Sequence, residues 1–167
     1  TEVAKKYFPA ILEGAFNDKR LKIFNEDALK FIKKYNDFFD VIIEDLTDPT
    51  GPSQWCWNIR FYRDILRALR KDGLAGFQTG QLKEPYAEKA RRDLSKTFSF
   101  FKVHKAFIGS FPFDEHTFSF GSKKINFDKF TFKKINKKFK KLNLKTKYYF
   151  PEIHFSSQVL PKDYVNN

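Results

Sequence analysis

The chain has 167 residues, 41% of them hydrophobic, which is enough for one domain with a substantial core. Its single cysteine, Cys56, excludes an internal disulfide framework and fits a reducing, intracellular compartment. No apolar run approaches the roughly 20 residues of a membrane span, so we expect a cytoplasmic protein. The three histidines are scattered and none stands at metal-ligand spacing with Cys56, so no metal site is predicted.

The formal net charge of +12 is concentrated in one segment, residues 121–147. This basic segment holds eleven lysines and one acidic residue, a net charge of +10, which leaves +2 for the other 140 residues. Its apolar side chains lie near helical spacing, which predicts a surface helix packed on the domain through Phe127, Phe130, Ile135, Phe139 and Leu142. Contact with a membrane surface or an acidic partner stays open. Nucleic-acid binding is less favoured, because nearly all the charge is lysine and no recognition motif accompanies it.

Strands and helices alternate over the first hundred residues. The opening residues resemble the tail of a helix that ends near Pro9, so we expect the sequence to begin within a domain. Short apolar runs predict strands at 21–24, 41–43 and 74–77, and apolar periodicity predicts helices at 27–34, 59–69 and 85–98. The second helix is expected to end at a glycine cap, Gly73. The alternation predicts an α/β protein with βαβ units and a parallel sheet, to which residues 98–108 and 117–120 add an antiparallel edge pair.

An acidic region interrupts this basic chain. Between Asn36 and Ile59 there are five acidic residues and no Lys or Arg, which indicates a cationic ligand. Asp45 and Asp48 directly follow the strand predicted at 41–43, at the end of a parallel strand where ligands bind in open α/β sheets.

Polar residues also follow the neighbouring strands. Asp27, beside the small Ala28, comes after the strand predicted at 21–24, and Gln78 follows the strand at 74–77. We therefore expect these side chains to converge on one cleft. The alternative for each acid is a purely structural role, since Asp after a strand often caps a helix or a turn.

The turn after the third predicted element resembles a known signature. It reads Asp45-Leu46-Thr47-Asp48-Pro49-Thr50-Gly51-Pro52, and it is similar to the motif of the spermidine synthase (polyamine aminopropyltransferase) family, in which Asp, two small residues, Asp-Pro, any residue and Gly-Pro follow an apolar strand. The likeness extends over almost the whole chain, through Asn17–Leu21, Glu26–Ala28, Phe61-Tyr62, Lys71–Gly73 and Tyr148–Pro161.

This resemblance implies a Rossmann-like sheet of the class I S-adenosylmethionine-methyltransferase type, here N-terminally truncated, with residues 1–167 forming part of a catalytic domain. It implies transfer of an aminopropyl group from decarboxylated S-adenosylmethionine, a co-substrate, to an amine, and no permanently bound cofactor. Asp45 would be the general base, Asp48 would hold the amine and Gln78 would contact it. Asp27 and Ala28 would meet the adenine end of the donor, in a pocket that Pro52 also lines.

The chemistry of amines is consistent with this reading. A primary alkylamine has a pKa of about 10.4, so at pH 7 it is a non-nucleophilic ammonium. Carboxylates can concentrate this cation and accept its proton as the nitrogen attacks. The acceptor stays open between putrescine, agmatine and a longer polyamine, because Phe111 stands where many members of the family have tyrosine.

Two further expectations follow from the resemblance. The family's glycine-rich loop and N-terminal β-domain would lie upstream of Thr1, so we expect residues 1–167 alone to be inactive. A homo-oligomer, a dimer or a tetramer, is the expected assembly. The alternatives are an S-adenosylmethionine-dependent methyltransferase and a non-catalytic basic module that binds nucleic acid.

Overall fold

The computed structural model describes residues 2–9, 14–110 and 115–165. In these ranges the α-helices are α1 (Glu2–Tyr7), α2 (Ala28–Lys33), α3 (Ile59–Ala68), α4 (Pro85–Thr97), α5 (Phe132–Leu142), α6 (Pro151–Ser156) and α7 (Lys162–Val165). The strands are β1 (Phe39–Glu44), β2 (Leu69–Gln81), β3 (Phe100–Ala106) and β4 (His116–Ser122). Short 3-10 turns lie at Ala15–Asn17, Gly51–Cys56 and Phe127–Lys129.

The four strands form one mixed sheet in the order β1-β2-β4-β3. β1 and β2 are parallel and are connected through α3, whereas β4 pairs antiparallel with both β2 and β3. The predicted α/β class and the predicted antiparallel pair at the sheet edge are thus confirmed. The long strand β2 joins the two halves, and its carboxyl end lies beside that of β1.

The strand predicted at 21–24 is wrong, because these residues have no regular structure. Leu21, Ile23 and Phe24 are exposed, and the Phe24 ring packs against Phe31 of α2 at 5.2 Å. An apolar run becomes a strand only where a neighbouring strand accepts its hydrogen bonds, and the described residues supply none beside it. The parallel part of the sheet is therefore the single pair β1-β2, less than the mostly parallel sheet we expected.

The glycine cap predicted for α3 is also wrong. The helix ends at Ala68, and Leu69 already has extended backbone angles and begins β2. Gly73 lies inside that strand, where a Cβ atom would stand 3.0 Å from the carbonyl oxygens of Arg70 and Phe39. A side chain at this position would therefore crowd the backbone of β1 and of β2 itself.

The core lies between the sheet and the two helices α3 and α4. Asn58 begins α3 by accepting hydrogen bonds from the backbone N–H groups of Arg60 and Phe61. The residues that fill this layer are mostly apolar and less than 6% exposed: Phe61, Tyr62, Ile65, Leu69, Ala75, Phe77, Ala90 and Leu94. Because α3 packs in this core and β1 is paired with β2, both ends of the loop that connects them are fixed.

The basic segment contains a surface helix, α5, which is shorter than predicted. Phe127 and Phe130 lie before it and Leu142 is exposed, so only Ile135 and Phe139 of the predicted apolar set are half-buried on the helix. Thr131 caps its start by accepting a hydrogen bond from Lys134 N–H, and Asn143 ends it with left-handed backbone angles. Phe139 packs on Tyr149 and Phe132 on Phe155, each at 6.0 Å between ring centroids. The lysines of α5 are exposed. In the part of the chain that the structure describes, neither α5 nor any other helix is long and apolar enough to cross a membrane.

Candidate active site

The loop after β1 is held in shape by hydrogen bonds that do not involve the carboxylate groups of Asp45 and Asp48. The indole Nε1 of Trp57 donates to the Thr47 carbonyl oxygen at 3.1 Å, and the Ser53 hydroxyl lies 2.6 Å from the Asp48 carbonyl oxygen. Gly51 takes φ 58° at the start of the 3-10 turn, a conformation that favours glycine. Backbone and neutral side chains thus fix the turn, so the Asp45 and Asp48 carboxylates are not needed to hold it.

The parallel register places Asp45 beside Gln78. The last pair along β1 and β2 is Glu44 with Phe77, and the next positions on the two strands are Asp45 and Gln78. The Gln78 side-chain oxygen accepts a hydrogen bond from Gly80 N–H at 3.2 Å. The register therefore brings these two strand ends side by side, whereas a single cleft shared by Asp27, Asp45, Asp48 and Gln78 stays a prediction.

Asp48 is held by a tyrosine that the sequence did not single out. The Tyr86 hydroxyl donates to Asp48 Oδ1 at 2.9 Å, and the Trp57 ring packs edge-on against Tyr86 at 5.4 Å. Burial, followed by the hydrogen bond to Asp48, raises the pKa of Tyr86 above its usual value. Tyr86 thus stays protonated and serves as a fixed donor to the carboxylate.

A cavity of about 410 Å³ lies next to this pair, lined by Asp48, Pro49, Thr50, Gln81, Glu84, Tyr86 and His116. The His116 side chain is 3% exposed. Burial lowers the pKa of His116, and the negative charges of Asp48 and Asp45 partly oppose this effect. Both carboxylates therefore act electrostatically on His116, and Asp48 lines the same cavity as this histidine.

Asp27 has the structural role that its sequence position also allowed. Its Oδ1 accepts hydrogen bonds from Leu29 N–H at 2.7 Å and from Lys30 N–H at 3.4 Å, which caps α2. The Oδ2 atom takes no part in this cap. Ala28, the first residue of α2, lines a second cavity of about 470 Å³ that also reaches Asp45. Pro52 lies exposed at the start of the 3-10 turn.

Glu44 is a functional candidate that the sequence reading missed. Burial, together with the negative charge of Asp45, raises its pKa to about 8, although a hydrogen bond from Leu46 N–H opposes this shift. The carboxyl group is therefore mostly protonated at neutral pH. Strand alternation gave a signal, because Glu44 shares the inward face with Ile42. Tyr86, Glu84 and His116 gave none, since they reach the site only through the fold.

Within residues 2–9, 14–110 and 115–165, no group of three or more His, Cys, Asp or Glu side chains is placed to hold a metal ion. Phe111, on which the identity of the acceptor was left open, lies outside the described residues.

The fold and the site together define a class: a Rossmann-like α/β protein whose carboxylates gather at the carboxyl ends of adjacent strands. Residues 1–152 match the spermine/spermidine synthase domain family. The chain belongs to this family, and the resemblance seen in the sequence is confirmed.

Known relatives agree with this assignment. The chain is 33% identical over 171 residues to a polyamine aminopropyltransferase of Clostridium beijerinckii and 34% identical over 169 residues to that of Clostridioides difficile. It is similar to a spermidine synthase crystallised in complex with the transition state analogue AdoDATO, with 31% identity and a TM-score of 0.87 over 97% of this chain and 55% of that chain. For spermidine synthase from Thermotoga maritima the TM-score is 0.84, over 97% of this chain and 54% of that one. Each of the two alignments with these aminopropyltransferases includes 96% of this chain and 56–57% of the relative. The chain therefore spans about half the length of the relatives it matches.

Proposed function

We propose that this protein, in its full-length form, transfers an aminopropyl group from decarboxylated S-adenosylmethionine to an amine. The observation that carries the proposal is the pair Asp45 and Asp48 at the carboxyl end of β1, in a loop whose shape does not depend on their side chains. Within the described ranges neither carboxylate forms an ion pair with Lys or Arg, so both can receive a cationic ligand. Family membership favours aminopropyl transfer over methyl transfer.

The chemical problem is the protonated state of the acceptor. Freeing the lone pair of an amine with a pKa of about 10.4 at pH 7 costs about 4.6 kcal/mol, at about 1.36 kcal/mol per pKa unit. Asp45 accepts the proton as the nitrogen attacks the aminopropyl carbon next to the sulfonium. The new C–N bond forms, the C–S bond breaks, and neutral methylthioadenosine leaves with the electron pair. The departure of a neutral sulfide requires no acid.

The other predicted residues position the two substrates. Asp48, oriented by Tyr86, holds the amine, and Gln78 contacts it from the adjacent strand end. Ala28 and Pro52 border the donor, and Asp27 offers its Oδ2 to the adenine end while its Oδ1 caps α2. The cavity that Ala28 and Asp45 both line supports this arrangement of the two substrates, because it connects the proposed donor site to the proposed base.

The assembly and the location of the protein stay predictions: a homodimer or homotetramer in the cytoplasm. Polyamine substrates are the proposed partners, and nucleic-acid binding by the basic segment is not proposed.

The decisive experiment measures methylthioadenosine release by the full-length protein, given the decarboxylated donor and a panel of putrescine, agmatine and spermidine. Asp45→Asn should lower kcat by about 10²- to 10⁴-fold, because it removes the base. Asp40→Asn is the control, since Asp40 is an exposed carboxylate earlier on β1 that binds Arg70 at 2.9 Å. The proposal fails if no amine releases methylthioadenosine, and Asp45 loses its role if Asp45→Asn turns over near the wild-type rate.

A further inference from the structure

The stretch 129–150, which includes α5, carries positive charge that the fold does not compensate. It holds nine lysines and no acidic residue, and all nine lysines are exposed. Among the residues that the structure describes, none of the nine forms an ion pair. We call the six that lie on α5 the lysine face: Lys133, Lys134, Lys137, Lys138, Lys140 and Lys141.

The lysine face points away from the domain. With 3.6 residues per turn, its lysines fall on the side of α5 opposite Phe132, Ile135 and Phe139. That apolar side packs on the domain, since Phe132 contacts Phe155 and Phe139 contacts Tyr149. The charged side is therefore open to a partner while the helix stays docked.

The lysine face opposes the formation of the helix that carries it. Lysines four residues apart repel one another on the helix surface, as Lys133 does Lys137 and Lys137 does Lys141. Lys133 and Lys134 also lie in the first turn, where the helix dipole favours acidic side chains, and that turn contains none. A polyanion bound along this face would relieve the repulsion.

The residues that follow α5 indicate which polyanion fits. Leu142, Leu144, Tyr148 and Phe150 are 45–58% exposed, and Lys145 and Lys147 lie between them. Lysines beside exposed leucine and aromatic side chains are typical of segments that lie at a membrane surface. An acidic polypeptide would neutralise the lysines and leave these apolar side chains in water.

Nucleic acid is a poorer match for the same surface. Every basic residue of the stretch 129–150 is lysine. Lysine is a hydrated point charge that suits a diffuse anionic plane, whereas arginine pairs with a single phosphate through two hydrogen bonds.

We propose that the lysine face and the apolar residues after α5 bind the surface of an anionic lipid bilayer. The lysines contact the charged headgroups, and Leu144 and Tyr148 enter the boundary between headgroups and acyl chains. The inference goes beyond the proposed function and does not depend on it. None of the six lysines lines either cavity that borders Asp45 or Asp48.

The test measures co-sedimentation of the full-length protein with lipid vesicles, without donor or amine. The protein should bind vesicles of phosphatidylcholine with about 30% phosphatidylserine and not vesicles of phosphatidylcholine alone. Binding should weaken as salt is raised above about 0.1 M. Random-sequence duplex DNA and polyglutamate, measured at the same salt, should bind more weakly than the anionic vesicles.

A fourfold variant tests the lysine face. It combines Lys137→Gln, Lys138→Gln, Lys140→Gln and Lys141→Gln, and should weaken vesicle binding about 80- to 600-fold, roughly three- to fivefold per lysine. Glutamine keeps the helix propensity, so the helical circular dichroism should not change. The matched control removes the same charge from exposed lysines elsewhere, through Lys19→Gln, Lys30→Gln, Lys71→Gln and Lys96→Gln, and should weaken binding far less.

A second variant tests the apolar contact. Leu144→Asn should weaken vesicle binding about three- to tenfold and leave the binding of DNA and polyglutamate unchanged. Val159→Asn is its control, because Val159 is 68% exposed and lies outside the stretch 129–150.

The outcomes separate the partners. Equal binding to the two kinds of vesicle overturns the inference, as does an equal loss in the two fourfold variants. Tighter binding of DNA or polyglutamate than of anionic vesicles overturns it in favour of that polyanion. A selective loss in the lysine-face variant, with an effect of Leu144→Asn confined to vesicles, supports it. Because no substrate is present, lipid binding can hold while methylthioadenosine release fails, and the reverse.

Discussion

The acidic strand ends and the basic segment differ in how strongly their charges interact with the surrounding protein, and this difference does not follow the number of charges. The basic segment carries +10, but the lysines of α5 lie in water on the outer face of a helix. The acidic edge has few charges, and they border cavities and alter one another: Asp45 raises the pKa of Glu44, and Asp48 holds Tyr86. Enclosure strengthens electrostatic interaction, whereas water and salt screen it.

The two regions also differ in their ion pairs: the basic segment forms them with the rest of the chain, whereas Asp45 and Asp48 form none with Lys or Arg in the described ranges. Lys102 with Asp128 at 2.7 Å and Lys124 with Asp72 at 3.4 Å join the basic segment to the rest of the chain. At least one partner of each pair is more than 70% exposed. Such pairs contribute about 0–1 kcal/mol each. The basic segment should therefore tolerate changes of charge that the acidic edge does not.

The largest effect should come from the close packing at the acidic edge. Gly80 has φ +73°, and a Cβ atom there would lie 2.7 Å from the Tyr86 ring. We expect Gly80→Ala to lower the free energy of unfolding by about 2–4 kcal/mol and to displace Tyr86 from Asp48. Gly109→Ala, with nothing within 4 Å of its Cβ position, should change it by less than about 0.5 kcal/mol in the same urea titration. Equal effects of the two variants would contradict the packing described here.

A smaller, pH-dependent effect should come from Glu44. Its folded pKa of about 8 exceeds the reference value of 4.5, so the folded protein holds the proton more tightly and stability falls as pH rises between these values. Glu44→Gln should remove this dependence: we expect a gain of about 1–3 kcal/mol at pH 8 and almost none near pH 4.5. Urea unfolding at a series of pH values from 4.5 to 8 measures this dependence of the free energy of unfolding on pH. Asp40→Asn, on the same strand, should retain the wild-type slope, and an unchanged slope in Glu44→Gln would show that Glu44 is not buried as described.

The smallest effect should come from the basic segment. Lys137 is exposed on α5, so Lys137→Gln should change the free energy of unfolding by less than about 0.5 kcal/mol. Thr131→Ala should cost about 1 kcal/mol, because it removes the cap of the same helix. Thermal unfolding at low and high salt compares the two variants. A larger loss for Lys137→Gln would mean that the lysines hold the segment in place, and the contrast with the acidic edge would fail.

The sequence predicted those parts of the molecule that local patterns determine. Apolar periodicity located α3 and α4 within one residue at each end, and the apolar run at 41–43 became β1. The run at 21–24 is also mostly apolar, although it includes Lys22, but a strand also needs a neighbouring strand, which composition cannot reveal. Gly73 was read as a helix cap because the tight approach of β2 to Phe39 depends on pairing across the sheet.

The same distinction between local patterns and long-range pairing applies to the residues of the candidate site. Asp45 and Asp48 could be found because they directly follow a strand, and their position at its end is what the structure has. Tyr86, Glu84 and His116 come from other elements, and the pairing of β2 with β4 brings the last of them opposite Gln81. Asp27 was open between a ligand and a cap, and the structure shows the cap. The catalytic and binding roles themselves stay predictions.

Trp57 makes the cavity beside Asp48 and Tyr86 optically observable. Its indole is anchored to the Thr47 carbonyl and rests edge-on against Tyr86, so a cation that binds beside Tyr86 changes the electrostatic field around the ring. The other tryptophan, Trp55, is 65% exposed and can be replaced by phenylalanine without disturbing the core. The resulting single-tryptophan protein would report the arrival of an amine by its fluorescence, in the absence of any donor and before any bond is made.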